Sequence, residues 1–115
     1  MNPDLLFPAA GLLLVLVGWP LARRRVKPNS LYGLRVRATM TDERVWYDAN
    51  AVAGKDSMVF GAVFAIMALV LPAVGVRGSD YQATCVAVLG AGVLVLMVRG
   101  WRTANRMQRQ RQGVE

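Results

Sequence analysis

The sequence has no histidine and only one cysteine, Cys85, among its 115 residues. One chain can therefore build neither a disulfide framework nor a zinc site of Cys and His ligands. Cys85 lies inside an apolar stretch, so we interpret it as a small packing residue. We expect no cofactor and no metal ion in this protein.

Charged side chains are absent from three apolar stretches, residues 5–22, 58–76 and 81–98. Each stretch is close to the ~20 residues with which a helix crosses ~30 Å of hydrocarbon. None alternates like a strand of a membrane β-barrel, and none has the polar face of a helix in a soluble protein. The sequence therefore predicts an all-α membrane protein, a single membrane domain over residues 1–115 with three transmembrane helices.

Basic residues are distributed unevenly around the three stretches. Residues 23–57 contain eight Lys or Arg, residues 99–115 contain five, and the connection between the second and third stretches contains only Arg77. The positive-inside rule therefore places the segment 23–57 and the basic tail 99–115 in the cytoplasm, and the N-terminus outside. Because the cations follow the first stretch, it is interpreted as an uncleaved span and not as a signal peptide.

The net charge of +7 does not indicate a nucleic-acid partner. Juxtamembrane cations are explained by topology and by their attraction to anionic headgroups, which is worth about 1 kcal/mol per Lys or Arg. We therefore expect these charges to meet the lipid bilayer, and we expect no direct binding of DNA or RNA.

The polar segment between the first two stretches combines turn residues with a short helical pattern. Asn29 has turn chemistry, and Gly33 after Tyr32 indicates a bend where glycine adopts a positive φ. Thr41 is typical of a helix N-cap. These residues predict a short amphipathic helix over about residues 42–53, at the cytoplasmic or interfacial surface between the first and second spans.

One face of this predicted helix combines a large aromatic residue with small ones. Trp46, Asn50 and Gly54 recur at i, i+4 and i+8, so they lie on the same face. This face suits packing against the bundle. We expect a bend near Gly54, which separates the short helix from the second span.

The basic tail continues a helical spacing, with arginines at positions 99, 102, 106 and 109 on roughly one face. This pattern fits either a helix that binds headgroups or a partner, or a stop-transfer anchor whose end frays. The frayed anchor is the favoured interpretation.

Small residues recur along two of the predicted spans. Ala83, Ala87 and Ala91 are spaced by four on the third, and Gly61 and Ala65 offer a similar surface on the second. Such stripes let helices approach closely. They suit the internal bundle and a homo-oligomer equally well.

Several residues between positions 28 and 54 form a pattern that resembles the signature of the SdpI family of small bacterial membrane proteins. The pattern consists of Pro28-Asn29, Tyr32-Gly33-x-Arg35, Thr39-Met40, Trp46, Asn50 and Ala53-Gly54. Val36 departs from it, since the family usually has Thr after the arginine. The founding type of the family also has additional spans.

The resemblance implies a multi-pass protein of the bacterial cytoplasmic (inner) membrane with no known enzymatic role. The family is named for an immunity protein against a secreted peptide toxin. In that founding member, immunity is accompanied by signalling, in which the toxin-engaged protein holds a transcriptional repressor at the membrane. A peptide toxin and a cytoplasmic regulator are therefore the partners that the resemblance implies.

The candidate site residues all lie in the same polar segment. We predict that they form one structural and functional unit: Asn29, Tyr32, Gly33, Arg35, Thr39, Trp46, Asn50 and Gly54. Arg35 offers five donors to a carboxylate or a phosphate. The alternative, which stays open, is that Arg35 ties the loop to Asp48 or to helix carbonyls.

Two functions follow from these observations. The first is an immunity-like or signalling membrane protein that binds a peptide, a lipid or a cytoplasmic regulator through residues 28–54. The alternative is a non-catalytic accessory or structural subunit of a larger membrane assembly. The carboxylates of the polar segment are explained by the helix dipole and by surface charge, so we expect no enzymatic activity.

Overall fold

The computed structural model describes residues 2–29 and 32–112, and this part of the chain contains four helices. They are α1 (Pro3–Ala22), α2 (Arg37–Thr41), α3 (Glu43–Ala73) and α4 (Gly78–Gln112). Three of them, over Asp4–Ala22, Glu43–Ala73 and Gly78–Arg111, are long and apolar enough to cross a membrane. The prediction of an all-helical chain with three such helices is confirmed. Residues 30–31 of the polar segment and 113–115 of the predicted tail lie outside the described residues.

Helix α1 begins with a conventional N-terminal cap. The Asn2 side chain accepts a hydrogen bond from the Asp4 amide at 2.9 Å. Pro3 follows the cap directly, where its missing N–H costs little. The helix ends at Ala22, and Arg24 then adopts a positive φ of 58° that turns the chain out of the helix axis.

Helix α3 is uninterrupted, so the expected bend near Gly54 is wrong, and the short helix predicted over about residues 42–53 is the first part of α3 and not a separate helix. The helix runs from Glu43 through Gly54 to Ala73. A glycine inside a helix costs about 1 kcal/mol relative to alanine. Here Gly54 lies in close contact with α1, and the helix continues through this weak position. The expected cap at Thr41 is also wrong, because Asp42 is the N-cap and its side chain accepts from the Arg44 amide.

The segment after the third apolar stretch is helical, so the frayed tail was a wrong prediction over the residues described. Helix α4 continues to Gln112. The continuation is held by a second apolar cluster, in which Ala104 is buried with Ala38, Val45 and Ala49. Packing against α2 and the start of α3 therefore keeps this part of α4 helical. The spacing of the arginines alone did not indicate this packing.

The connection between α3 and α4 lies earlier in the chain than the charge pattern predicted. Helix α3 ends at Ala73, directly after Pro72, and the turn occupies residues 74–77. Gly75 adopts a φ of +97° in this turn, which an L side chain rarely does. Helix α4 then begins at Gly78, three residues before the predicted start of the third span.

Helix α3 lies between α1 and α4 and runs antiparallel to both. Gly11 of α1 faces Gly61, and the Ser57 hydroxyl donates to the Leu14 carbonyl at 2.9 Å. On the other side, the Tyr81 hydroxyl of α4 donates to the Ala68 carbonyl at 2.9 Å. The prediction left the use of the small-residue stripes open, and Gly61 serves the internal contact with α1.

Helices α1 and α4 meet near one end of the bundle. There the Phe7 and Tyr81 rings pack edge to face with centroids 5.7 Å apart, above a core that includes Phe64 and Cys85. The other end carries α2 and most of the cations, and we call it the basic end. At about 1.5 Å per residue, the 31 residues of α3 and the 35 of α4 are about 46 and 52 Å long. Both exceed the ~30 Å hydrocarbon layer.

Candidate functional site

The chain leaving α1 is folded back onto the bundle by a turn at Asn29. The Asn29 amide donates to the Lys27 carbonyl at 2.8 Å, and its Oδ1 accepts from the Tyr32 amide at 2.6 Å. The Tyr32 hydroxyl then donates to the Val17 carbonyl of α1. Burial raises the pKa of Tyr32 above its ordinary value, so the hydroxyl stays protonated and available as a donor.

Gly33 brings the loop against α3. Its φ of +106° lies in the region that favours glycine. A methyl group at this position would lie 2.9 Å from Asn50 Oδ1 and 3.2 Å from Cη2 of Trp46. Gly33 is therefore required both by the backbone conformation and by the close approach to two other residues of the predicted site.

Asn50 binds the backbone of the loop from its buried position on α3. Its Oδ1 accepts from the Leu34 amide at 2.5 Å, and its Nδ2 donates to the Leu34 carbonyl at 3.3 Å. The same Nδ2 is 2.9 Å from the Trp46 carbonyl one helical turn earlier. One side chain thus satisfies both backbone groups of Leu34, which have no secondary-structure partner in the loop.

Thr39 performs a similar role inside α2. Its hydroxyl oxygen accepts from the Val36 amide at 3.0 Å, which satisfies the backbone donor at the N-cap of this five-residue helix. The hydroxyl is also 2.9 Å from the Leu34 carbonyl. Thr39 is buried, so these bonds are shielded from water and fix how α2 continues from the loop.

Trp46 fills the space under the loop and is fully buried. Its indole Nε1 donates to the Val26 carbonyl at 2.8 Å, which ties α3 to the chain immediately after α1. A buried tryptophan needs such a partner because its N–H would otherwise be desolvated without compensation. Trp46 therefore packs the basic end and also satisfies a loop carbonyl.

Gly54, like Gly61, is a point of close approach between α3 and α1. A methyl group there would lie 2.5 Å from the Gly18 carbonyl oxygen and 2.6 Å from the Ala22 amide nitrogen. Both neighbours are backbone atoms, which cannot rotate away. The small residues let the two helices touch through their backbones, a mode of packing common in membrane helices.

Arg35 differs from the other seven predicted site residues. Its side chain is exposed, and among residues 2–29 and 32–112 it has no hydrogen bond or ion pair. The suggested contact with Asp48 is wrong, since Asp48 forms its ion pair with Arg24. The other seven residues hold the loop and the helices together, and the loop carries Arg35 at its surface. These seven are Asn29, Tyr32, Gly33, Thr39, Trp46, Asn50 and Gly54.

A groove of about 700 Å³ lies next to Arg35, between α1 and α4 and over one face of α3. Its walls are mainly apolar and include Val17, Leu96 and Met97. Residues 32–36 line it as well, and the Leu34 side chain reaches Gly100 of α4. The loop therefore closes the groove towards the basic end, and its arginine lies at that closed end.

Three ion pairs at the basic end were not predicted from the sequence. Asp48 pairs with Arg24, Asp42 pairs with Arg111, and Asp56 lies 3.1 Å from Nε of Arg99. Such pairs at the protein surface are individually weak, because solvent screens the charges and ordering two long side chains costs entropy. No sequence signal could identify them, because the partners are 24, 69 and 43 residues apart along the chain.

The ion pair with Arg111 affects the pKa of Asp42. Partial burial alone would raise the pKa of Asp42, but hydrogen bonds from the Arg111 guanidinium and the Arg44 amide outweigh that effect. The net pKa lies below the ordinary value of 3.8, so Asp42 is ionised at neutral pH. Within the described part of the chain, no three His, Cys, Asp or Glu side chains converge as metal ligands would.

The family model described as the SdpI/YfhL protein family matches residues 25–100. The protein named "Uncharacterized protein YfhL" of Bacillus subtilis (strain 168) is 42% identical over 43 residues. That alignment covers 37% of this chain and 39% of the relative. No solved structure matches.

Proposed function

Because the chain belongs to the SdpI/YfhL family, we propose that it is a non-catalytic membrane protein of immunity or signalling type. In this proposal residues 28–54 bind a peptide toxin, a lipid or a cytoplasmic regulator. The basic end faces the cytoplasm of a bacterium, in keeping with the positive-inside rule, and the N-terminus lies outside the inner membrane. The membrane is the setting in which the three long apolar helices are stable.

The observation that carries the proposal is the contrast between Arg35 and its surroundings. Asn50, Thr39 and Trp46 use their polar atoms to satisfy the loop backbone. Arg35 is held by that ordered loop with its donors unused among the described residues. Ordering a cation in advance lowers the entropic cost of binding an anionic group, which supports a role in recognition.

Immunity is tested by killing assays in bacteria that are sensitive to a secreted peptide toxin of the kind that the founding member neutralises. Cells that express the full chain should survive. Arg35→Ala should reduce survival, whereas Arg37→Ala removes an equal charge two residues away and should not. Unchanged killing despite verified membrane insertion of the wild-type chain would exclude the immunity function.

Signalling through a cytoplasmic regulator is tested by crosslinking in native membranes followed by purification of the full chain. A partner recovered with wild type and Arg37→Ala but lost with Arg35→Ala supports binding through the loop. A partner recovered equally with all three variants would show that Arg35 does not take part.

The proposed orientation has a separate test. A single cysteine placed at Arg44, in a Cys85→Ala background, should resist a membrane-impermeant thiol reagent in intact cells. It should react after the cells are opened. Labelling in intact cells would place the basic end outside and contradict the cytoplasmic assignment.

The alternative function, an accessory subunit of a larger assembly, is favoured by one feature of α4. Ala83, Ala87 and Ala91 remain exposed on the helix surface, and nothing lies within 4 Å of a methyl group placed at Gly90. Such a stripe suits a further helix. Purification in mild detergent that yields only a monomer, with no crosslinked partner in cells, would argue against this alternative.

A further inference from the structure

The groove beside Arg35 has its apolar walls in the part of the bundle that faces hydrocarbon. Leu14, Val17 and Leu21 line it along α1, and Met97 and Trp101 line it along α4. The seven steps of helix rise from Leu14 to Leu21 correspond to about 10 Å of helix. This is about two-thirds of the ~15 Å depth of hydrocarbon in one leaflet.

The closed end of the groove lies where lipid headgroups begin. Trp101 is half exposed beside Arg99 and Arg102, the arrangement in which membrane proteins place an aromatic ring at the interface. Arg35 lies at the same end with its guanidinium unpaired among the described residues. An apolar channel thus leads to Arg35, which is the charged residue among those that line the described groove.

Shape and charge together favour a lipid in the groove over a helix from a second copy. A helix with side chains is about 10–12 Å wide and continues through the interface, but residues 32–36 close this groove at the basic end. A second copy in the same orientation would also bring its own arginines to this level. A phosphate complements the charge of Arg35, whereas another basic end repels it.

We propose that the groove between α1 and α4 binds one anionic phospholipid, with an acyl chain against Val17, Leu96 and Met97 and its phosphate on Arg35. This inference rests on the proposed function and specifies the ligand of the same loop. Arginine is suited to phosphate because its planar fork donates two parallel hydrogen bonds. The bound lipid completes the surface between α1 and α4, and it places an anionic headgroup beside the loop.

The experiment measures lipid retention by native mass spectrometry on the purified full chain in mild detergent. Phosphatidylglycerol and phosphatidylcholine with identical acyl chains are compared, and glycerol phosphate serves as the headgroup without chains. Because hydrogen bonds to charged groups are the stronger class, wild type should retain phosphatidylglycerol roughly tenfold better than phosphatidylcholine. Glycerol phosphate should not be retained, because it cannot use the apolar walls.

Two pairs of variants assign the site. Arg35→Gln should abolish the preference for phosphatidylglycerol, whereas Arg37→Gln should keep it. Val17→Phe fills the groove and should lower retention of both lipids, whereas Val70→Phe, on an exposed face elsewhere, should not. Equal retention of both lipids by wild type, or an unchanged preference in Arg35→Gln, would overturn the proposal.

Photocrosslinking distinguishes the occupants in cells. A benzophenone amino acid at Met97 should yield an adduct with phospholipid. A crosslinked dimer or an adduct with another protein as the main product would overturn the lipid assignment. If lipid specificity is absent while Arg35→Ala still abolishes toxin immunity or regulator binding, only the lipid inference fails and the proposed function stands.

Discussion

Removing the Asn50 side chain should release the loop from α3 without unfolding the spans. In Asn50→Ala, the Leu34 amide loses its partner at 2.5 Å, and the Leu34 carbonyl loses the Asn50 amide at 3.3 Å but keeps the Thr39 hydroxyl at 2.9 Å. Two hydrogen bonds at roughly 1 kcal/mol each give a loss of about 2 kcal/mol. Each 1.4 kcal/mol corresponds to a factor of ten, so opening of the loop should become roughly thirtyfold more frequent.

Amide hydrogen exchange reports this opening directly at Leu34. We expect exchange over residues 32–36 to accelerate by that factor, while the amides of α3 beyond Gly54 stay protected. Asn105→Ala is the matched control, because Asn105 is a half-buried amide on α4 without a hydrogen bond among the described residues. Exchange at Leu34 within about threefold of wild type would refute the reasoning that Asn50 holds the loop.

Two further predictions concern the helices that support the loop. Gly54→Ala should lower the free energy of unfolding by roughly 1–3 kcal/mol, because the new methyl group meets α1 backbone atoms. Thermal unfolding in detergent measures this, and Gly90→Ala, which adds a methyl group in open space, should be neutral or stabilising. Asp42→Asn keeps the N-cap but removes the charge facing Arg111. The pKa of Asp42 is lowered in the folded state. The charge of the Asp42 carboxylate therefore stabilises the wild-type fold above pH 3.8, and this stabilisation is lost as the pH falls through the folded pKa.

The outcomes that contradict these two predictions are specific. Equal unfolding temperatures for Gly54→Ala and Gly90→Ala would show that the α1–α3 contact yields to an extra methyl group without cost. An Asp42→Asn variant that is destabilised equally at neutral pH and well below pH 3.8 would show that the carboxylate charge is not the cause. Unfolding curves of wild type and Asp42→Asn, measured at neutral pH and well below pH 3.8, distinguish the two outcomes.

Three spanning helices could be predicted from the sequence because membrane burial acts on each stretch separately. A run such as residues 5–22 without a charged side chain excludes other placements regardless of its neighbours. The face formed by Trp46 and Asn50 was also predictable, because helical spacing alone brings residues four apart together. The structure places both side chains in the buried interior of the basic end.

The bend at Gly54 and the frayed tail were mispredicted for a common reason. Glycine weakens an isolated helix, but at Gly54 the absence of a side chain permits contact with α1. In the tail, the prediction used only the face that carries the arginines. On the opposite face, Gly100, Ala104 and Met107 recur at i, i+4 and i+7. That face packs on α2 and α3. Both errors arise because tertiary contacts override local propensity.

The orientation of individual polar side chains, and the groups with which they form hydrogen bonds or ion pairs, could not be predicted from the sequence. Nothing in the pattern indicated that Asn50 would bind both backbone groups of Leu34, or that Asp48 would choose Arg24 over Arg35. These contacts depend on how the loop crosses α3. They join residues far apart in sequence, and several neighbouring cations offer equivalent chemistry.

Helix α3 is uninterrupted between its contacts with the loop and its contact with α4 at Ala68. A displacement of Trp46 or Asn50 cannot be absorbed by a hinge inside the helix, so it arrives at Ala68 as a tilt. Over the roughly 33 Å of helix from Trp46 to Ala68, a tilt of about 5° moves Ala68 by about 3 Å. Such a shift is about as long as the 2.9 Å hydrogen bond between Tyr81 and Ala68. A displacement of the loop contacts on α3 thereby reaches the contact between α3 and α4 at the other end of the bundle.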